Sequence, residues 1–146
     1  MLKIYLDNCC YSRPFDDLTI TKNALEAKAI EDIFAKLINK EITIYNSRAI
    51  EYELYRISDG SKKNKVEDFY NSLYLEYVGH SEEIETRVDE LENQNIRYMD
   101  AYHIAYSEKA NVDYLITTDK QMLNSGKKAD TKIKIVNPIE FIMEVE

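Results

Sequence analysis

Four short runs in this chain, KIYLD, ITIY, DYLIT and IKIV, are apolar at nearly every position, and patterns with helical spacing separate them. Continuously apolar strands are covered on both faces, and strands that alternate with amphipathic helices are joined by crossovers. The combination predicts an α/β fold around a mostly parallel sheet. With 146 residues the chain fits one domain spanning 1–146, large enough for a proper core. No repeat, low-complexity stretch or linker divides it.

The strands are expected at residues 3–7, 41–45, 112–118 and 133–136, with a further short one within LEYVG at 75–79. From Thr21 to Asn39, Ala24, Leu25, Ala29, Ile33, Phe34 and Leu37 share one helical face. Ser47 is the expected N-cap of a helix through RAIEYELYRI, and Asp59-Gly60 is the turn expected to end it. Further helices are expected at 62–74, 81–93 and 99–110. A short one should start at Lys120 and break at Ser125-Gly126, and Pro138 opens a last helical turn. NCCYSRPFDD, residues 8–17, reads as a loop.

No apolar run approaches the roughly 18 residues of a membrane span, and the N-terminus reads as a strand and not as a signal peptide. Cys9 and Cys10 are neighbours, too close in the backbone for an ordinary disulfide. A reduced, cytoplasmic protein without membrane contact is the expectation. The net charge of −8 argues against a surface that grips nucleic acid by its phosphates alone. It leaves room for a catalyst that holds a phosphate through metal ions. The lysine groups at 62, 63 and 65 and at 127 and 128 read as solvated loops.

In parallel sheets, ligand chemistry collects beyond the carboxyl ends of the strands. Asp7 ends the first strand and Asp119 ends DYLIT, so both belong to one rim. Asp100 opens the helix before that strand, and Glu53 lies on the helix after the second. Each acid alone has a plain structural reading: a turn or cap at Asp7 and Asp119, a dipole contact at Asp100, a solvated face at Glu53. Grouped carboxylates repel one another unless a cation neutralises them. Oxygen ligands of this kind suit Mg2+ or Mn2+, and the chemistry they support is metal-assisted hydrolysis.

YLDNCCYSRPFDD, SRAIEYEL, MDAYHIAYSEKANVDYLITTD and IKIVNP together resemble the PIN domain family, VapC-like Mg2+/Mn2+-dependent ribonucleases that include toxins of bacterial toxin–antitoxin pairs. The resemblance implies a three-layer α/β/α fold and hydrolysis of RNA phosphodiester bonds to leave a 5′-phosphate. By position it makes Asp7, Asp100 and Asp119 metal ligands and, with Glu53, the catalytic acids. Asn8 and Thr117 take supporting places. Glu51 lies in the same segment as Glu53, and alignment of Ser47 with the helix start favours Glu53. The implied partners are RNA, an antitoxin protein and a second copy of the chain.

Arg13 has two open readings, a phosphate contact or an internal ion pair with Asp16 or Asp17. His103 shares a face with Asp100, three residues on, either as a donor to the site or as a packed histidine. Tyr98, Tyr102 and Tyr106 form a stripe that reads as helix packing or a subunit contact before a platform for bases. The histidine and cysteine spacing does not suit zinc. Two other carboxylate-rimmed α/β domains fit less well. A haloacid-dehalogenase-type phosphatase needs an Asp where Cys9 stands, and a phospho-receiver needs an acidic pair where Asp7-Asn8 stands. A catalytically silent PIN-like binding module is the rival from another class.

Overall fold

A computed structural model describes residues 1–146. Its five strands are β1 (Leu2–Leu6), β2 (Ile42–Asn46), β3 (Glu76–Tyr77), β4 (Tyr114–Ile116) and β5 (Lys134–Val136). They form one sheet in the order β3-β2-β1-β4-β5, and every pairing is parallel. Ile4 stands beside Ile44, Leu6 beside Ile116, and Ile116 beside Val136. Ile4, Tyr5, Leu6, Ile44, Leu115 and Ile116 are wholly buried, as strands covered on both faces require.

Eight helices flank the sheet: α1 (Asn8–Ser12), α2 (Thr21–Ile38), α3 (Arg48–Tyr55), α4 (Gly60–Asn71), α5 (Glu82–Glu92), α6 (Tyr98–Lys109), α7 (Lys120–Lys128) and α8 (Pro138–Val145). The result is the expected three-layer α/β/α arrangement, in which α2 packs on α8 and α5 on α6. α2, α5 and α6 run out into Lys40, Asn95 and Asn111, whose positive φ angles mark left-handed turns that end helices. No helix is long and apolar enough to cross a membrane.

Three local expectations need correction. Residues 8–15 are not loop: Asp7 caps α1 by accepting the Asn8 N–H, and a 3₁₀ turn, Arg13–Phe15, follows with Pro14 in its first turn. Proline's fixed φ suits that place. Asp59 begins α4 instead of ending α3, accepting the N–H groups of Ser61 and Lys62 at 3.1 Å. α7 runs through Ser125-Gly126 without a break. A Cβ on Gly126 would stand 2.9 Å from Ile135 Cβ and Cδ1, so this glycine serves close packing of α7 on β5.

The lysine groups are also helical. Lys62 sits in the first turn of α4 and pairs with Asp16, while Lys127 and Lys128 close α7, where positive charge suits the carbonyl end.

β1 is the hinge of the topology: the chain builds outward through β2 and β3 on one side and through β4 and β5 on the other. The ends of β1 and β4 therefore border a topological switch point, where α/β sheets open a crevice.

Candidate metal centre

The crevice is a pocket of about 400 Å³. Asp7, Glu53, Asp100 and Asp119 all line it, with Asn8, Cys9, His103 and Arg97. The four acids proposed from sequence thus converge. Glu51, two residues from Glu53, turns away and lines a separate small pocket with Tyr70 and Glu67.

Asp7 leaves β1 and is held from both sides. Its Oδ1 accepts the Asn8 N–H at 2.8 Å, and its Oδ2 accepts the Thr117 hydroxyl at 2.7 Å. Thr117 Oγ1 in turn accepts the Asp119 N–H at 3.0 Å. One buried hydroxyl therefore fixes the ends of β1 and β4 to each other. Asp119 caps α7 by accepting the Gln121 N–H at 2.9 Å, which leaves its Oδ2 turned to the pocket.

His103 projects from α6 and is almost wholly buried. Its Nε2 lies 3.5 Å from Asp7 Oδ1 and meets Glu53 Oε1 in a close contact. Its Nδ1 is 2.8 Å from the Tyr5 hydroxyl, which is 2.6 Å from Ser47 Oγ. The Ser47 hydroxyl also accepts the Ala49 N–H, as an N-cap should. This chain of hydroxyls accepts or donates at Nδ1 as needed, so Nε2 can carry a proton toward Glu53 or turn a lone pair to an ion.

Both readings of His103 hold at once: it is packed, and it faces the carboxylates. Burial pulls its pKa down, but the charges of Asp7, Glu53 and Asp100 more than offset this, and the net direction is up.

A histidine raised in the folded state stabilises that state fully below its unfolded pKa of about 6.5, and the contribution disappears as pH climbs through the folded value. In denaturant titrations with chelator, wild type should therefore hold its advantage over His103→Gln at acidic pH and lose it on the alkaline side. An advantage that does not vary with pH would contradict the placement of His103 among ionised acids.

Asp100 is 5% exposed. Burial raises its pKa, Arg97 pulls it back, and Asp119 and Asp7 push it up again. Arg97 precedes α6 and answers both rim acids: its Nε donates to Asp100 Oδ2 at 2.9 Å and its Nη2 to Asp119 Oδ2 at 3.0 Å. Ser125 adds a donor to Asp100 at 3.3 Å. Cys9 Sγ lies 3.5 Å from Asp7 Oδ2 and 3.4 Å from Thr117 Oγ1, free of any disulfide.

Arg97 and Cys9 are the site residues that pattern reading missed. Arg97 had a signal, its place three residues before Asp100 at the start of the helix. Cys9 had one in its place two residues after Asp7. Arg13 lies outside the pocket, bound to Asp16 at 2.8 Å and Thr118 at 3.3 Å, with Glu26 at 3.2 Å.

Asp7, Glu53 and His103 offer ligand atoms within 4.8 Å of one another. Two carboxylates and an imidazole, with two further carboxylates at the rim, make a donor set that fits a divalent cation.

Beside this pocket runs a groove of about 860 Å³ between α3 and α6, sharing Asn8, Glu53, Tyr98 and Met99 with it. Tyr52 and Tyr98 are more than half exposed there, and Arg56 lies over the Tyr52 ring at 5.3 Å. The rest of the tyrosine stripe is packing: Tyr102 bonds Glu85 of α5 at 2.6 Å, and Tyr106 is buried against His80.

A family model described as PIN domain matches residues 21–128. Glu53, Asp100 and Asp119 lie inside that match, and Asp7 precedes it. Among solved structures, a chain of VapBC2 from Rickettsia felis, bound to a DNA fragment from their promoter, is similar at TM-score 0.62 and 15% identity. The likeness covers 93% of this chain and 98% of that one. PAE2754 from Pyrobaculum aerophilum is similar at TM-score 0.53 and 17% identity, over 98% of this chain and 88% of that one. At such identities the likeness concerns the fold alone. No curated protein sequence matches the chain significantly.

Proposed function

Because the chain belongs to the PIN domain family, whose members are typically nucleases, we propose that it is a cytoplasmic, Mg2+- or Mn2+-dependent endoribonuclease and the toxin of a toxin–antitoxin pair. The observation that carries this reading is the meeting of Asp7, Glu53, Asp100 and Asp119, from four separate elements, in one pocket at the switch point.

Asp7, Asp100 and Asp119 would hold the ion, as the resemblance implies, and Glu53 and His103, whose donor atoms lie within 4.8 Å of that of Asp7, would face it from the inner side. When bound, such an ion supplies a water of lowered pKa and offsets charge on the phosphate. The chain's own part is to keep the ligands in place. Thr117 orients Asp7, Tyr5 orients His103, and the caps at Asp7 and Asp119 tie both acids to helix starts. Preorganisation of this kind removes a reorganisation cost at the moment of reaction. The imidazole among the oxygens favours Mn2+ over Mg2+.

RNA as substrate draws support from the adjoining groove. Exposed Tyr52 and Tyr98 offer faces for unpaired bases, and Arg48 and Arg56 offer local positive charge on an otherwise acidic protein. Base stacking is worth about 1–3 kcal/mol, so Tyr98→Ala should raise KM for single-stranded RNA by about tenfold. Steady-state kinetics would check this, and an unchanged KM would remove Tyr98 from the substrate path.

The deciding experiment incubates the pure protein with varied single-stranded RNAs and either Mg2+ or Mn2+. Cleavage that stops on chelation and leaves a 5′-phosphate is the expected result. Inertness with both ions, and no heat of metal binding in calorimetry, would favour a silent binding module acting through a protein partner.

A further inference from the structure

Four carboxylates around one small pocket need positive charge nearby, most of all Asp7 and Asp100, which are almost wholly buried. His103 answers Glu53 and Asp7 at the inner end. Asp100 and Asp119 are answered by Arg97, whose guanidinium bridges them with one hydrogen bond to each. Its only other side-chain partner is Gln121. The group is 44% exposed at the pocket mouth, and its backbone caps α6 without a side-chain bond. Its side chain is therefore held by three partners, two of them the acids it neutralises.

The geometry points to Arg97 as a resident cation of this pocket, which an entering divalent ion must displace and which then binds the substrate's phosphate. The inference rests on the nuclease reading and adds a residue to it. The physical reason for the first half is competition: a carboxylate oxygen engaged by a guanidinium has less charge to offer a metal, and Arg97 engages two of them. The reason for the second half is what remains after displacement. A guanidinium freed from Asp100 and Asp119 stands at the mouth of a site that takes phosphodiesters. Its planar fork matches phosphate oxygens as well as it matched the acids.

Removing the guanidinium should therefore move two quantities in opposite directions. In calorimetric titration with Mn2+, Arg97→Gln should bind about tenfold more tightly than wild type, the size of one partly exposed charge-assisted contact. In kinetics at saturating Mn2+, the same variant should show KM for single-stranded RNA raised several-fold, with kcat changed less. Arg97→Lys, which keeps the charge and loses the fork, should fall between the two in both assays.

Thermal unfolding controls for folding. With chelator the Gln variant should melt below wild type, and added Mn2+ should raise its Tm by more. Metal binding by Arg97→Gln where wild type binds weakly or not at all supports displacement. Equal or weaker Mn2+ affinity in the variant overturns the resident-cation role while leaving the nuclease reading intact. Tighter Mn2+ binding with unchanged KM overturns the phosphate-binding role alone. Failure of both proteins to bind Mn2+ overturns the nuclease reading and this inference together.

Discussion

Asp7→Asn is expected to lower metal-dependent RNA cleavage by more than about a hundredfold, beyond what the loss of a mere outer partner of a metal ligand costs. The substitution is nearly isosteric, and an amide oxygen can still accept the Asn8 N–H that caps α1. What it removes is one negative charge shared between Glu53, His103 and the rim acids. The folded chain loses repulsion it otherwise tolerates for function, so Tm with chelator should equal or exceed that of wild type. The Tm rise that Mn2+ produces in wild type should shrink. A fluorogenic RNA assay beside melting curves with and without Mn2+ would test both halves. Cleavage that survives in a folded Asp7→Asn protein, still dependent on metal, would remove Asp7 from the metal site.

Arg13→Ala is expected to act on stability, costing about 3 kcal/mol, the lower end for breaking a buried ion pair. Glu26 is wholly buried on α2, yet it is a carboxylate. Its Oε2 accepts Asn137 Nδ2 at 2.6 Å, and its Oε1 lies 3.2 Å from Arg13 Nε, close enough for an ion pair but without hydrogen-bond alignment. Arg13 also reaches Asp16 and Thr118, so it joins the 3₁₀ turn, α2 and the end of β4. Truncating it leaves Glu26 with one amide partner in a dry setting. Urea unfolding would read the loss, and Arg13→Ala with Glu26→Gln should recover part of it because no buried charge then remains. An Arg13→Ala protein as stable as wild type, with RNA affinity lost instead, would restore Arg13 to the substrate side.

Much of the architecture was readable from local pattern. KIYLD, ITIY, DYLIT and IKIV became β1, β2, β4 and β5 because consecutive apolar residues have no solvated face to offer. The errors occurred where one residue carries two messages. Asp7 both ends a strand and caps a helix, and a polar run after it reads as loop until the cap is seen. Ser125-Gly126 looks like a break, but the small residue is there for Ile135, which belongs to a different element.

The candidate site divides the same way. Strand ends and a helix start identified Asp7, Asp100 and Asp119, since a parallel sheet sends such termini to a common rim whatever the details of packing, while Glu53, well inside α3, rested on the resemblance. What stayed hidden was which acid each partner meets: Arg97 meets Asp119 across 22 residues, His103 meets Glu53 across 50, and Thr117 meets Asp7 across 110.

Periodicity records which face of an element is buried, and that suffices to place a carboxylate on an edge. Whether that carboxylate is met by a guanidinium, an imidazole or a hydroxyl turns on side-chain directions over a few ångströms. Those directions exist only once distant elements have packed.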